Sequence, residues 1–157
     1  MTHFSSFVFA QNSFNVNTQS IGVYSSFFVE ISLDNTSEVT AFQFDISHNE
    51  SAYELSNTSA LTSRAENHTL SVSTIDDNTI RVLVYSAANE VISIGDGAIL
   101  NLSFNSKNEP GTYNLNLSDI VLSDANGASL GVSSSNGSVT ILGPRYNLVT
   151  SSVDFGE

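Results

Sequence analysis

The run Val39-Thr-Ala-Phe-Gln-Phe-Asp-Ile-Ser47 limits what this chain can fold into more than any other. Phe42, Phe44 and Ile46 alternate with Ala41, Gln43 and Asp45. Successive strand side chains point to opposite faces, so this run predicts a half-buried strand with its two rings in a core. Phe27 to Leu33 precedes it across the turn-forming Asp34-Asn-Thr-Ser37, and Ile80-Arg-Val-Leu-Val-Tyr-Ser86 follows later. The succession predicts an antiparallel β-sandwich.

Helix signals are nearly absent. Short apolar segments are separated by Asp76-Asp-Asn78, Gly95-Asp-Gly97, Pro110-Gly111, Asn126-Gly127 and Asn136-Gly137. Glycine supplies positive φ without steric cost, and Asn or Asp tolerates it while bonding its own backbone. Asn-Gly between apolar runs is a strong hairpin signal. Nine strands are expected, at 13–17, 23–33, 39–48, 52–56, 68–75, 79–86, 97–105, 112–123 and 137–142, with one short helical turn within 57–67. Regular short strands with such breakers indicate an all-β sandwich or barrel.

The length of 157 residues suits one domain with a substantial core. Four Lys and Arg against sixteen Asp and Glu give a net charge of -12, too few cations to line a nucleic-acid groove or to favour an anionic membrane. Cysteine is absent, which removes disulfides, thiolate metal sites and cysteine nucleophiles. No apolar run approaches the about 18 residues of a membrane helix.

Phe4-Ser-Ser-Phe-Val-Phe-Ala10 reads either as the tail of an export signal, with Val8-Phe-Ala10 shaped like a cleavage site, or as a first strand. Gly143-Pro-Arg145 reads as a stop and linker, and Tyr146 to Glu157 as the opening of a further domain. The expected organisation is therefore a remnant or first strand over 1–12, a sandwich over 13–142, and a linker with a truncated domain over 143–157.

Catalytic chemistry finds little footing. His3, His48 and His68 are scattered without metal-ligand spacing, and no G-x-S-x-G elbow occurs. Asp34, Asp45, Asp76, Asp77, Asp96 and Asp124 could supply a carboxylate pair for glycoside hydrolysis, but nearly all sit in expected turns, where backbone demands explain them. Asp124-Ala-Asn-Gly127 echoes the opening of a calcium loop but lacks the bidentate Glu at its end. The chain is read as a non-enzyme without a cofactor. Seven Asn-x-Ser/Thr sequons arise readily in so Asn- and Ser-rich a chain and carry no weight.

With these residues in view, the chain resembles the cohesin domains of cellulosomal and related bacterial surface scaffolds, over roughly 13–142. The resemblance rests on Phe27-Phe-Val-Glu-Ile-Ser-Leu33, Thr40-Ala-Phe-Gln-Phe-Asp-Ile46 and Ile80-Arg-Val-Leu-Val-Tyr85. It also rests on Gly95-Asp-Gly97 leading into Ala98-Ile-Leu-Asn-Leu-Ser-Phe104, and on Gly137-Ser-Val-Thr-Ile141. The family's Pro-Gly-Asp-like motif is replaced by Thr18-Gln-Ser-Ile-Gly22, and its Tyr-Asp after the third strand by His48-Asn49.

The resemblance implies a nine-stranded jelly roll, monomeric as an isolated domain and secreted or cell-surface. Its expected partners are dockerins, calcium-loaded helical pairs carried by other secreted proteins, and the calcium belongs to the partner. The family's contact surface is the flat face of its third, fifth, sixth and eighth strands. Ala41, Gln43 and Asp45 should lie on that face. The sixth strand admits two registers. Alternation alone buries Ile80, Val82 and Val84, because Arg81 resists burial. The family register turns Leu83 and Tyr85 inward and places Val82 and Val84 outward, so these two join the expected site. The rival function is polysaccharide binding on a sheet face, but the chain has no Trp to stack sugars.

Overall fold

The computed structural model describes residues 11–146 and Gly156. The expectations for 1–10, 147–155 and 157 lie outside the described residues. Among the described residues thirteen strands follow in chain order. They are β1 (Asn12–Val16), β2 (Thr18–Gly22), β3 (Ser26–Asp34), β4 (Ala41–Ser47), β5 (Tyr53–Leu55), β6 (Ala60–Leu61) and β7 (Thr69–Asp76). Then come β8 (Thr79–Tyr85), β9 (Ala98–Ser106), β10 (Gly111–Leu115), β11 (Leu117–Ser123), β12 (Val132–Ser135) and β13 (Gly137–Leu142). The expected helical turn is a 3-10 turn at Ser63–Ala65, where the Thr62 hydroxyl accepts the Arg64 N–H.

The count exceeds nine because long runs break where the chain changes partners. Residues 112–123 divide at Asn116, and 23–33 begins only at Ser26, after Tyr24 turns through a positive φ of 53°. β12 has small polar residues and no alternation, so nothing in its sequence announces a strand.

One layer runs β12-β1-β3-β9-β5, with β6 also on β9; the other runs β11-β4-β8-β7. A three-stranded sheet, β10-β13-β2, joins them, since β2 continues β1 and β11 continues β10. Pairing is antiparallel apart from β1 with β12 and β13 with β2, which are parallel. The architecture is an all-β jelly-roll sandwich.

The layers meet through rings. Phe14 of β1 packs on Phe42 and Phe44 of β4, with centroids 5.3 and 5.6 Å apart. Phe27, Tyr53 and Phe104 form a second cluster farther along. Val29, Ile31, Leu33, Ile80, Val82, Leu100 and Leu102 fill the space between them, all fully buried. Apolar burial on this scale, at about 25 cal/mol per Å², is the main term holding the layers together.

The partner changes of β1–β2, β10–β11 and β12–β13 fall at one place. Asn136 Oδ1 accepts the Leu117 N–H at 3.0 Å, and Ser47 Oγ accepts the Asn116 N–H at 2.9 Å. Asn17 donates its N–H to the Glu30 carbonyl at 3.1 Å, while its Oδ1 accepts the Glu30 N–H at 2.9 Å. A Cβ on Gly137 would overlap the Asn17 carbonyl oxygen and lie 2.7 Å from that of Val16. Glycine is therefore needed there for close approach of two backbones.

Candidate docking site

The outer side of the sheet β11-β4-β8-β7 forms a lattice fixed by register. Phe42 pairs with Val84, Phe44 with Val82 and Ile46 with Ile80. Directly opposed residues on paired strands share a face, so the inward rings of β4 oblige Ile80, Val82 and Val84 to point inward too. All three are fully buried. This corrects the outward placement of Val82 and Val84. The alternation around Arg81 was the better guide, because no counter-ion awaits a guanidinium in that core.

The outward residues stand in cross-strand rows. One runs Val121, Gln43, Leu83, Ser71, and the next Ser118, Asp45, Arg81, Ser73. On the other side of the first, Ser123 pairs with Ala41 and Tyr85 with Thr69. Ala41 and Gln43 thus lie on the expected face, half-buried. Leu83, Tyr85 and Val121 remain 37%, 41% and 50% exposed. These three and Arg81 were not among the expected site residues; the pattern Arg81-Val-Leu-Val-Tyr85 held the signal for the β8 members.

Asp45 occupies the expected face and is nonetheless buried, because Arg81 lies over it. Arg81 Nε and Nη2 each donate to one Asp45 oxygen at 2.8 Å. That fork holds the Asp45 carboxyl below its ordinary value, against an opposing effect of burial. Asp119, at a φ of 48° where β11 bulges between Ser118 and Val121, adds a second negative charge beside the pair. Asp is among the few residues that tolerate this left-handed backbone.

Between these rows lies a shallow hollow of about 170 Å³, lined by Ala41, Phe42, Gln43, Leu83, Val121 and Ser123. It exists because Ala41 and Ser123 are small where their neighbours are not.

The family profile for the cohesin domain matches residues 13–141. The chain belongs to the cohesin family. No curated protein sequence matches it significantly. Among solved structures it is similar to a non-cellulosomal cohesin from the archaeon Archaeoglobus fulgidus, at 20% identity and a TM-score of 0.73, covering 85% of this chain and 92% of that one. It is similar to the sixth cohesin of scaffoldin B from Acetivibrio cellulolyticus, in complex with a dockerin, at 18% identity and a TM-score of 0.74, covering 85% and 100%. A type I cohesin–dockerin complex from Clostridium thermocellum matches at 16% identity and a TM-score of 0.76, covering 85% and 100%. At such identities the likeness is one of fold.

Among the described residues, the cohesin's two histidines do not converge. His48 lies 3.0 Å from the Glu50 carboxylate at the far end of β4, whereas His68 precedes β7. Asp124 Oδ1 accepts the N–H groups of Asn126 and Ala128, both at 2.9 Å, which makes it the cap of its own turn. Among the described residues no group of three or more His, Cys, Asp or Glu is placed to hold a metal ion. Asn35, a sequon residue, is buried with its amide donating to backbone carbonyls of Ser37 and Ser93.

Proposed function

We propose that this cohesin is a non-catalytic docking module of a secreted or cell-surface scaffold, and that it holds a calcium-loaded dockerin on the outer side of β11-β4-β8-β7. The contact residues are Ala41, Gln43, Leu83, Tyr85 and Val121, with the Asp45–Arg81 fork at one end. One observation carries this reading: the outward row pairs exposed aliphatics with uncharged polar neighbours across one sheet. Such a surface lets a helix lie flat, bury an apolar strip and find polar groups at its rim.

Polysaccharide binding has weaker support. A sugar platform needs a row of exposed rings, and Tyr85 is the aromatic this face offers among the described residues. Tyr53 is buried, and Tyr113 packs against it at 5.9 Å.

The test is capture of the purified chain on immobilised dockerins from the same organism, with and without chelator. Retention that chelator abolishes is expected, since the dockerin fold needs its ion. Retention on cellulose or chitin with no dockerin capture would overturn the proposal.

A further inference from the structure

Resting on that docking reading, we infer that the hollow over Ala41 seats one aliphatic side chain from the partner's contact helix, and that Ala41 decides which partners fit. Val121 on β11 and Leu83 on β8 flank Gln43 of β4 within one row. Strands lie about 4.8 Å apart, so the two flanking residues stand about 9.6 Å apart. Gln43 stands between them, and the hollow opens one row along, over Ala41 and Ser123, where its about 170 Å³ matches a single branched or straight hydrocarbon chain.

The electrostatics favour the same occupant. Asp45 spends its charge on Arg81 in the adjacent row, and no charged residue lines the hollow. A charged group inserted there would lose water without gaining a counter-ion, which is costly. An aliphatic group loses nothing and buries the exposed sides of Leu83 and Val121. The fork stands four residues along β4 from Ala41, about 13.6 Å, which is about two and a half turns of a helix. A helix aligned with β4 can therefore set an aliphatic residue in the hollow and a polar residue two to three turns away against Arg81.

The experiment is a bump-and-hole exchange with whichever calcium-loaded dockerins the wild-type chain captures. Ala41→Leu fills the hollow from β4, and Ser123→Leu fills it from β11; thermal melts establish that each variant is folded. Both should weaken binding about 100-fold, the loss expected of a central anchor. Truncating one contact-helix aliphatic residue of the dockerin to Ala should weaken its binding to wild type. The same truncation should restore binding to Ala41→Leu to within about tenfold of the original pair. If both filled variants bind as wild type does while Leu83→Asp does not, the hollow is not an anchor site and the docking reading stands. If no dockerin is captured, both fall.

Discussion

Arg81 meets Asp45 side-on across the β4–β8 pair, with Nε and Nη2 each 2.8 Å from a different carboxylate oxygen. The guanidinium shields a carboxylate that would otherwise be a bare charge on an apolar docking face. It also makes the fold acid-sensitive. A carboxyl held below its ordinary value of 3.8 contributes its full stability above that pH. The contribution is lost as the pH falls through the lower folded-state value. Asp45→Asn should therefore melt at a lower temperature than wild type at pH 7, and the gap should close as the pH is taken from 4 towards 2. Melting curves across that range check this; parallel acid limbs would contradict it.

Val82 and Leu83 are adjacent and should respond oppositely. Val82→Ala removes buried core volume and should cost about 2 kcal/mol in chemical denaturation, with little direct effect on a bound partner. Leu83→Asp places a charge on the outer face, so it should leave stability within about 0.5 kcal/mol and abolish dockerin capture. Unfolding by Leu83→Asp would mean that the register of β8 is reversed.

The β4 strand was fully legible, because its rings alternate with polar groups and only one face could be greasy. β8 was harder. Both of its faces are apolar beyond Arg81, so the pattern rested on a single charged residue, and the family resemblance outweighed it in the wrong direction. The register of β4 against β8 resolves this, but register is a long-range property that neither strand encodes alone. Of the docking sheet, β4, β7 and β8 were each anticipated, and β11 only as the second half of one strand over 112–123. Val121 was not, because the bulge at Asp119 shifts the register of β11 and turns Val121 to the outer side. The hollow was invisible for the same reason. It depends on Ala41 and Ser123 meeting across two strands some eighty residues apart in sequence.

Tyr53 supplies an alkaline limit. Burial pushes its hydroxyl up to about 12, with the Asn49 backbone pulling weakly the other way. A group whose folded value is raised stabilises fully below its ordinary value near 10 and loses that contribution as the pH rises towards about 12. Ultraviolet titration should show one tyrosine that ionises late, towards about 12, at or near alkaline unfolding. Tyr53→Phe should remove that late step and flatten the alkaline loss of stability. The absence of any late-ionising tyrosine in a folded chain would count against the packing described for Phe27, Tyr53 and Phe104.

Gly137 offers the sharpest test of the architecture. It sits where the strands change partners, with the carbonyls of Val16 and Asn17 against the space a side chain would need. Those atoms are backbone at the end of β1 and in the single residue that links it to β2, so they cannot rotate away as a side-chain tip would. Gly137→Ala should exceed the about 1–3 kcal/mol usual for overpacking and yield little folded protein. Gly127 provides the contrast. It is also glycine, at a φ of 75°, but a Cβ there would meet nothing within 4 Å. Gly127→Ala should therefore cost only the left-handed backbone penalty of about 1–2 kcal/mol. Equal losses at the two positions, measured by denaturant unfolding, would show that the strand crossing at Asn17 is looser than drawn.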